Sequence, residues 1–230
     1  MSVAVVVERF LLSDQQRDAL LDWIGQRPRG ERPLRAFLSS IAFAALRPQE
    51  ALALRLRDAH LPDEGPGDLV IHPRRLGGRD GEAEDAGAPR VVPACPELVD
   101  ILRAEAAHRG LRPDDALFTR DDGRPLAGED YRGAWREARE AVLEVHEIDS
   151  PLGRNVSDLR DACISTWLSG HRTALDVFNV ADRVGVSASS LARRFPHCFQ
   201  ASGADANDLI EAAFAISDLD GEPTRAGRLP

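Results

Sequence analysis

The stretch SDLRDACISTWLSGH, residues 157–171, sets one arginine, Arg160, near the start of an amphipathic helix, a setting that often holds a phosphate. Three residues earlier, where proton-transfer chemistry would want a donor, stands Ser157. A second stretch, ALRPQEALALRLRDAHL (45–61), places Arg47 at a helix–helix junction, followed by Glu50 and then Asp58. Two more segments, RVVPACPELVDIL (90–102) and ADRVGVSASSLARRFPHCF (181–199), complete the set on which the fold assignment rests.

Around these segments the helical periodicity is plain. LLSDQQRDALLDWI (11–24) has Ser13 as its N-cap and apolar residues at helical spacing. PLRAFLSSIAFAAL (33–46) is nearly apolar on all sides and reads as a buried helix, and Pro48 restarts the chain at a first-turn position. The pattern then changes. DLVIHPR (68–74) and PRVVP (89–93) read as short strands, joined by the acidic, glycine-rich RLGGRDGEAEDAGA as a long, mobile loop. Helices return at 96–110, at about 128–145 and at 157–170. TALDVFNVADRVG ends in a glycine C-cap, and SASSLARRFPHCF and ADANDLIEAAFAI give two more helices. The reading is a mainly α chain with a small antiparallel β-sheet (α+β): one domain over 1–216, and a disordered tail over 217–230.

Composition narrows the function. All 29 basic residues are arginine, so no lysine ammonium is present to donate a proton, and arginine does not surrender its own at usable pH. The formal net charge is −9, spread unevenly: +2 over residues 1–60 and −7 over 61–130. Such a balance argues against non-specific grip on a polyanion, although a local basic cleft can sit on an acidic body. Cys95, Cys163 and Cys198 are scattered without metal-ligand spacing and read as reduced cytoplasmic thiols; no metal and no cofactor is expected. No apolar run approaches the length of a membrane span, and MSVAVVVERF reads as a first strand or staple, not a signal peptide.

Taken together, in this order and spacing, the four segments resemble the catalytic domain of phage-integrase-type tyrosine recombinases over roughly residues 11–215. ALRPQE matches that family's Gly-Leu-Arg-x-x-Glu, and Ser157-x-x-Arg160 stands where its His-x-x-Arg would be. Gly185-Val186 corresponds to a Gly-His or Gly-Trp motif, and the nucleophilic tyrosine nine residues later falls on Phe195. The resemblance implies an integrase-like fold, DNA as partner, and a role in recombination and integration within the biology of a mobile element. It implies Arg47 and Arg160 as the phosphate clamp, because phosphodiester cleavage without a metal needs cations beside the non-bridging oxygens. It also requires a nucleophile and acid–base partners. Phe195 has no oxygen, Val186 moves no proton, Ser157 is a poor acid or base near pH 7, and the family's lysine has no counterpart. The expectation is an inactive recombinase with weak, salt-sensitive DNA binding.

Two departures weaken the expected grip. The loop between the strands carries Glu82, Glu84 and Asp85, and the chain begins near the domain's first helix, so the family's separate N-terminal DNA-binding domain is expected to be absent. Two other readings stand beside this one. In the first, a different nucleophile replaces the tyrosine, with Ser187, Ser189, Ser190 and Cys198 nearest in sequence. In the second, the fold is a protein-interaction module that binds a protein partner and no nucleic acid. Taken singly, Arg47 reads as an ion-pair partner of Glu50, Arg160 as neutralised by Asp158 and Asp161, and Phe195, Trp167 and the lone tyrosine Tyr131 as packing residues.

Overall fold

Ser13 opens the first helix with a reciprocal capping box: its hydroxyl accepts the Gln16 amide at 3.2 Å, and the Gln16 side chain accepts the Ser13 amide at 2.9 Å. The computed structural model describes residues 5–27, 32–73, 88–170 and 174–199. Its helices are α1 (Asp14–Gly25), α2 (Arg32–Ala44), α3 (Pro48–Ala53), α4 (Pro96–Arg109), α5 (Gly128–Val142), α6 (Val145–Ile148), α7 (Ser157–Ser169), α8 (Ala174–Val184) and α9 (Ala188–Arg194). The helix read at 204–216, the tail, and the acidic loop with Glu82, Glu84 and Asp85 lie outside the described residues.

The strands are β1 (Ala59–His60), β2 (Gly67–Ile71) and β3 (Arg90–Ala94), all antiparallel in the order β1-β2-β3. The hairpin read from the sequence is therefore the larger part of a three-stranded sheet. β1 escaped detection because two residues are too few to show an alternation. Leu69, Ile71, Val92 and Ala94 turn one face of the sheet inward, while Asp68 and Val91 face out.

The core divides into two clusters. The larger gathers α1, α2, the sheet, α4 and α5 around Leu20, Phe37, Leu38, Ile41, Leu69, Leu102 and Trp135. The smaller holds Ala45, Cys163, Ile164, Leu168, Val180, Val184, Leu191 and Phe195. α7 lies between them, with Leu159 and Ala162 in the first and Cys163, Ile164 and Leu168 in the second. Consequently α7 is buried on most of its circumference, where the sequence suggested one exposed face. Trp167 is half-buried and packs against both clusters, so it bridges them and is not a fully buried core residue. Tyr131 packs against the Phe37 ring, 5.0 Å between centroids, as a packing residue should. The N-terminal segment forms no strand among the described residues; it staples the end of α9, where the Val6 amide donates to the Arg194 carbonyl at 2.8 Å.

The loop leading into α7 is fixed from α5. Trp135 Nε1–H donates to the Gly153 carbonyl at 2.8 Å, and Arg139 donates to the carbonyls of Leu152 (3.1 Å) and Ile148 (3.3 Å). Gly153 sits at φ 56, and a Cβ there would lie 3.1 Å from the Leu12 side chain, so this tight turn requires glycine. These bonds decide where Ser157 and Arg160 stand. Trp135→Phe keeps an aromatic ring but a smaller one, and leaves the Gly153 carbonyl buried without its donor. It is expected to lower unfolding free energy by about 1–3 kcal/mol, read from the urea midpoint.

Candidate functional site

Both arginines stand where helices meet. Arg47 directly precedes Pro48, the first residue of α3, and its backbone is extended. Two residues back, Ala45 adopts φ 49, a left-handed conformation that turns its carbonyl toward α7. Arg160, in the first turn of α7, donates through Nη1 to that carbonyl and through Nη2 to the Val184 carbonyl at 2.9 Å. Arg47 Nη2 donates to the next carbonyl, Gly185, at 3.3 Å. The last carbonyl of α8 and the one just beyond it thus receive the two guanidinium groups, favourable at the negative end of a helix. Gly185 takes φ 72, which closes the helix and delivers Val186 to the same place.

Glu50 ties the arrangement together. Its carboxylate accepts the Arg47 amide at 2.8 Å, Arg47 Nη1 at 3.1 Å and Arg90 Nη2 at 2.8 Å, with Arg160 Nη1 3.6 Å away. Burial alone would raise the Glu50 pKa. The hydrogen bonds from Arg90 and the Arg47 amide, with the charge of both arginines, outweigh it and hold the carboxyl below its ordinary range. Arg160 is pushed down to about 10, first by burial and then by repulsion from Arg47 and Arg90, against the pull of Glu50 and Asp161. At pH 7 it is still a cation.

The carboxylate nearest Arg160 is therefore that of Glu50, with Asp161 adding a smaller pull and Asp158 none. Asp161 pairs with Arg194 at 2.7 Å, and Asp158 accepts the Asn155 amide at 2.8 Å. Residues next to each other on a helix point about 100° apart, so adjacency was a poor guide. Arg47 and Glu50 do pair, as read.

Arg47, Ser157, Arg160, Val186 and Phe195 all line one cleft of about 570 Å³, together with Ser190, Asp161 and Arg194. Arg47 is half-exposed, Ser157 exposed, Val186 half-buried, and Phe195 fully buried with its ring in the smaller core cluster. Among the replacement nucleophiles, Ser190 lines the cleft, whereas Ser187, Ser189 and Cys198 do not. The Ser187 hydroxyl accepts the Ser190 amide as the N-cap of α9. Cys198 Sγ lies 3.5 Å from Ser165 Oγ, which in turn is 3.0 Å from His197 Nε2.

Arg90 is the component the sequence did not single out. It opens β3, bonds the Arg183 carbonyl at 2.9 Å and supplies Glu50 with its shortest arginine contact. The arginine lies in RVVPACPELVDIL, but no local signal tells that a strand will carry it to a carboxylate forty residues away. Chemically the cleft offers guanidinium groups able to grip an oxyanion; the positions of Phe195 and Val186 carry hydrocarbon side chains, and that of Ser157 an alcohol with no imidazole or ammonium beside it. Among the described residues no group of His, Cys, Asp and Glu is arranged to hold a metal ion, and no helix is long and apolar enough to cross a membrane.

No protein-family model and no curated protein sequence matches the chain. Solved structures do. The integrase of transposon Tn1549, in complex with circular intermediate DNA, superposes with a TM-score of 0.64 at 17% identity over 90% of this chain and 68% of that one. XerH site-specific recombinase bound to its difH substrate gives 0.62 at 18% identity, over 93% of this chain and 55% of that one. XerA recombinase gives 0.61 at 13% identity, over 91% of this chain and 65% of that one. The fold is therefore that of the tyrosine-recombinase catalytic domain, a mainly helical body with a three-stranded antiparallel sheet. The chain spans between about half and two thirds of the length of these structures.

Proposed function

We propose that this protein is a recombinase-fold DNA-binding protein that grips the phosphate backbone at Arg47 and Arg160 and does not cut it. One observation carries the reading: both arginines line a single cleft whose other walls include Phe195, Val186 and Ser157. Two guanidinium groups favour a phosphodiester there, since each charge-assisted contact releases condensed counterions. The groups that would turn grip into cleavage are missing from their places in the same walls: Phe195 has no hydroxyl to form a phosphoester, and neither Val186 nor Ser157 is an acid able to protonate the leaving sugar oxygen, so the Ser190 hydroxyl has no such partner at these positions. Binding is weak, because Glu50 competes for the same arginines and the molecule as a whole is acidic. DNA in the cytoplasm, as part of a mobile element's recombination and integration machinery, is the setting this function fits. The domain spans residues 1–216.

A gel-shift titration across a salt series tests the reading. Arg47→Ala is expected to weaken duplex binding about tenfold, alike for every sequence, and to lower the salt slope by about 1. No binding at low salt would remove the DNA role and leave the protein-interaction module, which the net charge of −9 favours.

A further inference from the structure

A second cleft, of about 480 Å³, adjoins the first and shares Pro48 and Ser157 with it. Its lining includes Arg132 and Arg136 from α5, Arg139 from the same helix and Arg154 from the loop before α7, and no aspartate or glutamate. Arg132 and Arg136 stand four residues apart and so share one face of α5. Arg132, Arg136 and Arg154 are exposed, and none of them pairs with a carboxylate among the described residues. Much of the arginine elsewhere on this surface is consumed by a nearby acid: Arg17 by Asp14, Arg35 by Asp22, Arg103 by Asp63, Arg124 by Asp122. On an acidic protein, a wall of unpaired guanidinium groups is a concentrated exception. Its like charges are close enough to be felt, since Arg139 is held below its ordinary range first by burial and then by Arg154.

We propose that the wall formed by Arg132, Arg136 and Arg154 is a second phosphate contact, holding the backbone of the same duplex that Arg47 and Arg160 grip. The inference rests on the DNA-binding reading and extends it to a continuous basic track. The track runs from Arg47 across Pro48 and Ser157 to α5. A nucleic-acid backbone fits better than an acidic protein because its charges are regularly spaced, and because the two arginine groups lie in adjoining clefts.

The test measures fluorescence anisotropy of a labelled duplex against salt for the native chain, Arg47→Ala, Arg132→Ala/Arg136→Ala and the triple variant. The double variant is expected to weaken binding about tenfold or more and to lower the salt slope by about 2, additively with Arg47→Ala. Both side chains are exposed, so thermal unfolding of the variants is expected to match that of the native chain. Native-like binding by the double variant, with Arg47→Ala still impaired, overturns this inference alone. The reverse pattern overturns the Arg47 clamp and leaves the wall as the grip. A native chain that binds no duplex overturns both. Displacement of the duplex by polyglutamate as readily as by unlabelled duplex reassigns the wall to an acidic protein.

Discussion

Glu50→Gln is expected to cost about 2–4 kcal/mol of unfolding free energy, toward the low end of what breaking a buried ion pair costs, because glutamine keeps one acceptor oxygen. The substitution leaves Arg47, Arg90 and Arg160 facing one another without the carboxylate they share, and Arg160 is 8% exposed, so water cannot screen it. For a chain of this size the loss corresponds to a Tm lower by roughly 6–12 °C. The effect depends on pH in a definite sense. The folded pKa of Glu50 lies below its unfolded value, so its contribution is complete above the unfolded pKa and disappears as pH falls through the folded one. Calorimetry of the two proteins should show a wide Tm gap at neutral pH that closes as pH is taken from about 5 toward 3. A gap of less than a degree at pH 7 would mean that Glu50 does not organise the arginines.

Phe195 carries the second large effect, and it separates packing from chemistry. The ring is fully buried among Val180, Val184 and Leu191. Phe195→Ala is therefore expected to destabilise by about 3–5 kcal/mol, as truncation of a large core side chain does. Phe195→Tyr keeps the ring and supplies the missing hydroxyl at a position lining the same cleft as Arg160, yet strand cleavage is not expected to appear. A phenol near pH 7 is a weak nucleophile without a base, and the sugar oxygen is a poor leaving group without an acid. Val186, Ser157 and the lack of any lysine leave both needs unmet. Each absent proton transfer is worth about a hundredfold or more in rate, so a single substitution cannot recover them. Robust cleavage by the Phe195→Tyr variant would show that the acid–base groups lie elsewhere in the cleft.

Local chemistry made much of the fold legible. Ser13 with Gln16, Pro48 at the first turn of α3, and Gly110 and Gly185 in left-handed C-caps each act within a few residues, so their signals survive in the chain. The convergence of Arg47, Arg160, Val186 and Phe195 was visible only through the family resemblance, since no periodicity links residues that far apart. Three features stayed hidden for the same reason. The partner of Arg160 is Glu50 and not an adjacent aspartate; Arg90 arrives on a strand; and the arginines of α5 look in sequence like an ordinary solvated face. The burial of α7 was hidden too, because its polar residues Arg160, Asp161 and Ser165 find partners inside the molecule.

The most direct trial of a clamp without a cutting group is to incubate the native chain with a nicked duplex designed to hold any covalent intermediate, then run native and denaturing gels side by side. The account predicts a shifted band on the native gel and none that survives detergent. A detergent-resistant protein–DNA band, mapped to any side chain of this protein, would contradict it.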